Sequence, residues 1–277
     1  MHKSLMAVLK TPVLGRILLG VFRTKTVLGY IHGPLSNMVK WLFSSRETTN
    51  FTYDLEELNT RYLASLIADI TNIEFSLAMA YIAEIEEDKE IRQHIIDATS
   101  ESDYSFKADT KVKFGRRIGW YAITRALKPR SVIETGVDKG FGACVLTAAL
   151  KKNEEEGYRG QYYGTDINPR AGYLLSGDYA NYGHILYGDS LETLNSFDGL
   201  IDLFINDSDH STEYEAKEYN AIANKLSENA IILGDNSHCS DKLLEFSLRL
   251  NRHFVFFQEK PREHWYPGAG IGISFIR

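Results

Sequence analysis

The sequence has few cysteines and no spacing that would pair them. Its 277 residues include only Cys144 and Cys239, which lie far apart and form no C-x-x-C motif. A disulfide framework is therefore excluded as the basis of the fold, and the cysteine usage fits a reducing compartment such as the cytoplasm. No internal repeat or low-complexity tract is visible either.

The N-terminal region lacks an apolar run that could span a bilayer. Its longest uncharged stretch, 26–39, has 14 residues and contains two glycines and a proline. A membrane-spanning helix needs about 20 predominantly apolar residues. Arg16 interrupts the other apolar stretch, 13–22, and no clear small-residue cleavage site follows. We therefore expect neither a spanning helix nor a signal peptide here.

Acidic residues are absent from the first 46 positions. That stretch holds seven lysines and arginines and Glu47 is the first acid, so the remaining 231 residues carry 24 basic and 37 acidic groups. The net charge of −6 thus divides into +7 on a basic arm and −13 on the rest. An acidic body argues against a nucleic-acid partner. Because apolar residues recur in 1–46 with a roughly helical period, the arm is predicted to be amphipathic.

Two uses of this arm fit the pattern, and packing within the protein is favoured over membrane attachment. A basic amphipathic helix can attach peripherally to an anionic membrane or to a lipid-linked substrate. It can also pack on the main domain or across the interface of a homo-oligomer. We therefore expect a cytoplasmic protein and a homo-oligomer, with peripheral membrane contact through 1–46 left open.

Helical periodicity continues through 47–110, a predicted helical extension. One helix is predicted over 55–70 and a second from 73 towards 95, where apolar residues share one face. The polar segment 100–108 is predicted to be a loop that can fold over an active site. A further helix over 112–127 leads into the first strand.

From Ser131 onwards short apolar runs alternate with helical stretches, which is typical of βαβ units and a parallel sheet. The last two runs flank an aromatic loop and predict a closing antiparallel hairpin. The predicted fold class over 111–277 is α/β, a Rossmann-like and mostly parallel sheet with helices on both faces. The seven predicted strands are 131–135, 161–165, 184–187, 201–206, 229–234, 253–259 and 270–276.

A glycine-rich turn follows the first predicted strand. The run 131–135 leads into Gly136, Gly140 and Gly142. Such a turn lets backbone amides approach a ligand at the start of a helix, which predicts a nucleotide-like cofactor. The spacing G-x-x-x-G-x-G differs from the G-x-G-x-x-G that favours a dinucleotide, so NAD is not expected.

Polar residues also follow the second and third strands, at the edge where an open parallel sheet binds ligands. Asp166 comes after the second strand, and a carboxylate there can accept two hydrogen bonds from ribose hydroxyls. The structural alternative is an N-cap ahead of Pro169. Asp189 and Ser190 follow the third strand, where a cap for the helix at 191–194 explains them nearly as well as a ligand does.

Acidic residues are concentrated after the fourth and fifth strands. Asp207, Asp209 and His210 crowd the end of the fourth, and Asp235 and Asn236 follow the fifth. Acids at this density repel one another unless a cation or hydrogen-bond donors balance them. Because neighbouring parallel strands bring their ends together, Asp207, Asp235 and Asn236 are predicted to form an all-oxygen site suited to Mg²⁺.

The glycine turn resembles a known family. Glu134-x-Gly136-x-x-x-Gly140 is similar to the first motif of class I S-adenosylmethionine (SAM) methyltransferases. This resemblance implies that Glu134 faces the methionine end of SAM while the glycines pass beneath it. It also implies that Asp189 and Ser190 lie near the adenine.

The acidic cluster resembles a narrower group. Asp207 and, 28 positions on, Asp235-Asn236 are similar to the metal site of Mg²⁺-dependent O-methyltransferases of the catechol and caffeoyl-CoA type. Phe-Ile-Asn-Asp-Ser-Asp-His at 204–210 resembles still more the macrolide-sugar (macrocin and mycinamicin) and cephalosporin-hydroxylase-like group. The chain departs from the sugar-methylating pattern at Asn236, where a second acid is more usual. The resemblance covers about 110–250, and the first 100 residues match no motif.

The same resemblance implies a general base. The relatives carry it three positions after the first metal-binding aspartate, which is His210 here, and Asp209 is a second candidate. A neutral imidazole beside a metal-bound hydroxyl can take its proton while SAM places its methyl group for in-line transfer. The structural alternative for His210 is a histidine that bonds a backbone carbonyl at a helix start.

The sequence therefore predicts a SAM-dependent, Mg²⁺-assisted O-methyltransferase. The resemblance implies a hydroxyl acceptor on a small molecule or glycan, with a sugar or polyketide-type natural product of secondary metabolism favoured. A phenolic, catechol-type acceptor is the first alternative. The others are a cephalosporin-hydroxylase-like or non-methylating protein that binds SAM and metal, and an accessory protein that acts through its arm.

Overall fold

The computed structural model of the chain describes residues 3–48, 52–109 and 111–277. Six α-helices of the described chain precede the first strand, and five of them lie before residue 110. The first two form the basic arm and the next three lie in the helical extension. Their bounds are α1 Lys3–Leu9, α2 Leu14–Ser44, α3 Glu57–Thr71, α4 Phe75–Glu87 and α5 Lys89–Glu101.

The predicted α/β fold is confirmed. A seven-stranded sheet contains β1 Ser131–Thr135, β2 Gln161–Asp166, β3 Gly183–Tyr187, β4 Ile201–Asn206, β5 Leu226–Gly234, β6 His253–Phe257 and β7 Ile271–Phe275. The helices around it are α6 Arg117–Leu127, α7 Phe141–Glu155, α8 Ser190–Ser196, α9 Thr212–Ile222 and α10 Lys242–Arg249.

The strand order fixes where ligands can bind. The order is β3-β2-β1-β4-β5-β7-β6. The strands β1 to β5 are parallel, whereas β7 runs antiparallel to β5 and forms the predicted closing hairpin with β6. The chain changes direction along the sheet between β1 and β4, and ligands of open α/β sheets bind at such a switch point, beside the carboxyl ends of the strands.

Successive side chains of the central strands point to opposite faces of the sheet and belong to two separate hydrophobic cores. Val132 packs with helices α3, α4, α6 and α7, whereas the next residue, Ile133, packs with α8, α9 and α10. The same division holds on β4 between Leu203 and Phe204. Because side chains alternate between the faces of a strand, apolar runs without polar interruption indicate a sheet that is covered on both sides.

The helical extension differs from the sequence prediction at one point. A single helix was expected from 73 towards 95, but α4 ends at Glu87 and α5 begins at Lys89. Asp88 adopts an extended conformation between them, and its carboxylate accepts hydrogen bonds from the amides of Glu90 and Ile91 at 2.8 and 3.1 Å. An aspartate inside an acidic run is thus an N-cap and not part of a solvated helix face.

The extension shares a core with the sheet. Helices α3 and α4 pack on α6, and Leu55 forms an isolated bridge with Pro261. Tyr53 donates a hydrogen bond to the buried carboxylate of Glu259. The division at 110 between an extension and a methyltransferase domain stays a prediction.

Helix α2 lies largely outside this core. Gly15 is its only buried residue. Its C-terminal end is attached to the body, because the Trp41 ring lies 5.3 Å from the Trp265 ring and the hydroxyl of Ser45 donates to Asp109 at 2.7 Å. Among the residues described, no helix combines the length and apolarity that a bilayer span requires.

The turn after β1 brings three strands together. Gly136 has φ of 82° and donates its amide to Thr165 O at 2.9 Å, while the Asp207 amide donates to Thr135 O at 2.9 Å. A Cβ at Gly136 would lie 2.0 Å from the carbonyl oxygen of Asp207. Only glycine therefore fits between the ends of β1 and β4.

Gly136→Ala is expected to lower the free energy of unfolding by roughly 3 kcal/mol or more, because it adds a backbone clash to the left-handed conformation. Gly157→Ala is the matched control, since φ there is 91° but no atom lies within 4 Å of the added Cβ. That variant should lose only about 1–2 kcal/mol. Urea unfolding of both measures the difference, and equal losses would contradict the clash.

Candidate active site

A cavity of about 530 Å³ opens at the carboxyl ends of β1, β2, β4 and β5. Its position beside the switch point and its volume are typical of a small-molecule site. The strand ends contribute Gly136, Asp138, Asp166, Asp207, His210 and Asp235. The opposite wall includes Glu47, Thr99, Asp109, Lys113, Arg116 and Arg117.

Asp166 holds the glycine turn in shape. Its carboxylate accepts hydrogen bonds from the amides of Val137, Asp138 and Asn168 at 3.1, 2.9 and 2.8 Å. The bond from Asn168 closes a local turn, and among the described residues no helix begins at Pro169 for Asp166 to cap, unlike the N-cap considered as the alternative. Asp166 also lines the cavity, and its contact with a ribose stays a prediction.

Gly140 begins the helix that follows the turn, as the N-cap of α7. Its Cα lies against Gly172 in the segment after β2, so that a Cβ at Gly140 would be 3.0 Å from Gly172 Cα. The Gly172 amide donates to Asp138 O at 2.7 Å, and the Leu174 amide donates to Lys139 O at 3.0 Å. The glycine turn and the segment after β2 thus form one hydrogen-bonded unit.

Glu134 lies beneath the turn and not in the cavity wall. It is 2% exposed and accepts a hydrogen bond from Tyr162 Oη at 2.5 Å. A Cβ at Gly142 would lie 2.2 Å from Glu134 Oε1, so α7 begins directly on the carboxylate. Burial raises the pKa of Glu134 to about 7, against the opposing effects of Tyr162 and Arg117. The predicted position of Glu134 at the methionine end of SAM stays a prediction.

Asp189 and Ser190 are engaged within the protein. Asp189 caps α8 by accepting from the Leu191 amide at 2.8 Å, and it also accepts from the Tyr214 hydroxyl at 2.9 Å. Ser190 is buried and donates to Glu218. Neither residue lines the cavity. The helix-cap alternative therefore describes Asp189 here, and the predicted contacts with adenine stay predictions.

Glu218 is a buried carboxylate that the sequence did not single out. It accepts hydrogen bonds from Ser190, Thr135, Asn206 and Ser208, which join α8, β1 and β4 to α9. Burial raises the pKa of Glu218, while these donors oppose the rise. Because the sequence of α9 is rich in charged residues, it did not indicate that Glu218 is buried.

Arg116 neutralises the acids at the ends of β4 and β5. It pairs with Asp235 and with Glu259 Oε1, the latter at 3.2 Å. Burial disfavours its charge, but Asp235 and Glu259 together raise the pKa of Arg116 well above its ordinary value. Burial and the adjacent Asp235 also raise the pKa of Asp207, whereas Arg116 lowers it. A guanidinium thus supplies the positive charge that the sequence assigned to a metal ion.

His210 and Asn236 form a hydrogen-bonded pair. His210 Nδ1 lies 2.6 Å from Asn236 Oδ1, and Asn236 is 2% exposed. An amide oxygen only accepts, so Nδ1 carries the proton and Nε2 of the neutral ring is left as the basic nitrogen. The side chain of His210 lines the cavity. Its partner is a side-chain amide and not the backbone carbonyl considered as the alternative.

Asp209 is directed elsewhere. It accepts a hydrogen bond from the Ser211 amide at 2.6 Å, is exposed, and does not line the cavity. Hydrogen bonds from the side chain and the amide of Ser211 lower the pKa of Asp209. Of the two predicted bases, the geometry therefore brings only His210 to the cavity.

The donors predicted for Mg²⁺ have protein partners in this arrangement, and the metal site stays a prediction. Asp235 is paired with Arg116, and the oxygen of Asn236 is bonded to His210. Within the described ranges, no three His, Cys, Asp or Glu residues are grouped so that they could hold a metal ion. The sequence showed the oxygen ligands but not the guanidinium that reaches them from the start of α6.

Arg117 is a second functional candidate that the sequence analysis assigned to packing. Its guanidinium lies over the rings of Trp120 and Phe141, at 5.2 and 5.3 Å from their centroids. It lines the cavity, and its buried Nε has no hydrogen-bond partner among the described residues. The sequence feature that could have identified Arg117 as a site residue is the pair of adjacent arginines at the start of a largely apolar helix.

Comparison with known proteins agrees with this geometry. Residues 133–237, less than half of the chain, match the family model described as a methyltransferase domain. This segment runs from β1 to the turn after β5 and contains every predicted site residue. This part of the chain is therefore similar to a methyltransferase domain, and the sheet order is that of a Rossmann-like α/β fold.

Solved methyltransferases share this fold at low identity. A methyltransferase from Geobacter sulfurreducens is 15% identical, with a TM-score of 0.50 over 69% of this chain and 92% of that one. The SAH-bound Podospora anserina methyltransferase PaMTH1 is 16% identical, with a TM-score of 0.49 over 69% and 88%. The O-methyltransferase TomG from Streptomyces achromogenes, involved in tomaymycin synthesis and in complex with SAM, is 13% identical, with a TM-score of 0.48 over 69% and 91%. No curated protein matches the chain significantly.

Glu134→Gln is expected to flatten the dependence of stability on pH. Burial raises the pKa of Glu134 from 4.5 to about 7, so between these values the folded protein holds a proton that the unfolded chain releases. Its contribution to the free energy of unfolding therefore falls as pH rises through this window, by about 3 kcal/mol in total. Glutamine keeps an oxygen for Tyr162 but does not titrate.

Urea unfolding at pH 5 and pH 7.5 measures this effect. Glu228→Gln, at an exposed position of β5, is the control and should keep the wild-type slope. A Glu134→Gln protein whose stability changes with pH as steeply as the wild type would show that this carboxyl is not protonated in the fold.

Proposed function

We propose that the protein transfers the methyl group of SAM to a hydroxyl oxygen of a small-molecule or glycan acceptor. The observation that carries the proposal is the cavity at the switch point. The glycine turn of a methyltransferase domain borders one side, and a histidine with a fixed basic nitrogen borders the other. The matched family model supports methyl transfer, and His210 supports an acceptor that must lose a proton.

The turn at 136–141 and Arg117 are proposed to hold the cofactor. Backbone amides at the start of α7 favour polar and anionic groups of a ligand. Arg117 adds a guanidinium whose Nε has no partner among the described residues and whose plane is held against two rings. We assign Arg117 to the carboxylate of the methionine moiety, because a guanidinium matches a carboxylate in shape and charge. When bound, SAM supplies an electrophilic methyl group on a sulfonium.

His210 is proposed as the general base. Its Nε2 takes the hydroxyl proton as the acceptor oxygen forms its bond to the methyl carbon, and the resulting imidazolium keeps its Nδ1–H hydrogen bond to Asn236 Oδ1. The bond between the methyl carbon and the sulfonium sulfur would break in the same step and leave a neutral thioether. The positive charge would then reside on the imidazolium of His210, which releases its Nε2 proton to water, so that charge and protons balance. Asn236 acts by fixing the tautomer and the orientation of the ring, and does not itself transfer a proton.

The acceptor class rests on sequence resemblance. Residues 204–210 support a sugar or polyketide-type hydroxyl, and a phenolic hydroxyl is the alternative. No step in this proposal uses magnesium, because Asp235 and Asn236 are engaged by Arg116 and His210.

Arg117→Met should weaken SAM binding about tenfold or more, because a charge-assisted hydrogen bond is lost while the apolar stem is kept. Isothermal titration of SAM into each protein measures the change. Arg159→Met, at a side chain that is 87% exposed, is the control and should bind like the wild type. Equal affinities of all three proteins would remove Arg117 from the cofactor site, and a wild type that does not bind SAM would end the proposal.

His210→Ala should lower kcat about a hundredfold or more and leave the affinity for SAM unchanged. Asn236→Ala should reduce kcat less, because the base remains but its tautomer is no longer fixed. Asp209→Ala, next to His210 but outside the cavity, is the control. Transfer of labelled methyl groups to panels of sugar, polyketide and catechol hydroxyls provides the assay.

Magnesium dependence is measured in the same assay. Turnover of wild-type protein is expected to survive EDTA, since Arg116 already neutralises the acids. Activity that disappears with EDTA and returns with Mg²⁺ would mean that Arg116 gives way to a metal ion, as the sequence first suggested.

A further inference from the structure

Helix α2 carries a continuous apolar stripe without a partner in the described chain. Every seventh residue from 14 to 42 is leucine or valine, and in a helix of 3.6 residues per turn these positions lie on one side. They are half or more exposed: Leu14 and Val21 by 60%, Leu28 and Leu35 by 50%, and Leu42 by 56%. An exposed surface of this length indicates a binding surface.

The apolar surface is wider than the stripe. Further exposed residues extend it on both sides, namely Ile17, Phe22, Val27, Ile31, Met38, Val39 and Phe43. A coiled-coil seam is narrower and is usually flanked by charges of both signs, which pair between the helices. In α2 the charged residues are Arg16, Arg23, Lys25 and Lys40, and none is acidic.

This charge distribution favours an anionic partner over a second copy of the arm. Two parallel α2 helices would bring like charges together and offer each other no carboxylate. An anionic bilayer surface satisfies both features, because it takes apolar side chains among its acyl chains and attracts basic residues at its head groups. Arg16 and Arg23 lie on the side of the helix away from the stripe, where they would face water. Lys25, three residues before Leu28, lies on the flank of the stripe, within reach of the head groups.

The arm ends beside the cavity. Its last residues are held to Asp109, whose carboxylate accepts from the Ser45 hydroxyl and the Arg46 amide, both at 2.7 Å. Asp109 and Glu47 line the cavity. A surface that binds α2 therefore lies close to the mouth of the candidate active site.

We propose that α2 docks the protein on the surface of an anionic bilayer, with its stripe among the lipid chains and the cavity mouth beside the membrane. The helix lies in the interface and does not cross it. This inference stands independently of the methyl-transfer proposal, because it rests on the arm alone.

Co-sedimentation of the full chain with vesicles tests the docking. Vesicles of phosphatidylcholine containing phosphatidylglycerol should bind the protein and pure phosphatidylcholine should bind it less, with added salt weakening the former. Leu28→Glu should lower partitioning into the vesicles about tenfold or more, because a leucine that inserts among the lipid chains is replaced by a charge that anionic lipid repels.

Thr26→Glu is the matched control. It adds the same charge two positions away, on the opposite side of α2, at a residue that is also exposed. Its partitioning should fall far less than that of Leu28→Glu. Affinity for SAM, measured on the same preparations, verifies that both variants are folded and is read separately from the docking.

Three results would overturn the proposal. The first is a full chain that stays in solution with anionic vesicles, and the second is equal loss of binding in the two variants. The third is a homodimer, detected by sedimentation velocity, that Leu28→Glu dissociates in the absence of any vesicle binding. That last result would assign the stripe to a second copy of this chain.

Discussion

The far side of the cavity depends on one guanidinium. Asp207, Asp235 and Glu259 converge where water has little access, and a cluster of enclosed carboxylates is stable only if a cation or a proton compensates it. Arg116 provides that cation at the point where α6 begins. Because Asp235 is held in this pair, Asn236 is free to orient His210. The charge balance of the acids and the alignment of the base are therefore parts of one arrangement.

What could be predicted from the sequence follows from periodicity. Strand positions appear directly in apolar runs, and parallel strands place their carboxyl ends at one edge, so Asp166, Asp207, His210 and Asp235 were predicted to lie at the same edge of the sheet. The role of His210 as a base came from the family resemblance. Arg116 could not be placed there, because its approach depends on how α6 packs. Glu218 was hidden for the same reason, since its donors come from separate elements.

Local chemistry explains the remaining differences. Asp88 separates α4 from α5 because its carboxylate accepts two hydrogen bonds from the first amides of α5. The helical period of apolar residues continues across this boundary, so it did not indicate that one helix ends there. The acid of the glycine motif, Glu134, has its carboxylate directly under the start of α7, a position that the motif alone does not indicate. A motif identifies which residues come together, whereas the depth of each side chain depends on its neighbours, here Tyr162 and Gly142.

Because α2 is attached to the body near its C-terminal end, a small rotation at that end moves its N-terminal end over a large distance. Its 31 residues make a rod of about 46 Å at the usual rise of 1.5 Å per residue. The fulcrum is the contact of Trp41 with Trp265. A tilt of only about 10° there would carry the far end, near Leu14, through roughly 8 Å. The packing of the Trp41 and Trp265 rings thus determines the angle between the arm and the domain that contains the cavity, and with it the distance of the cavity from any surface that the arm binds.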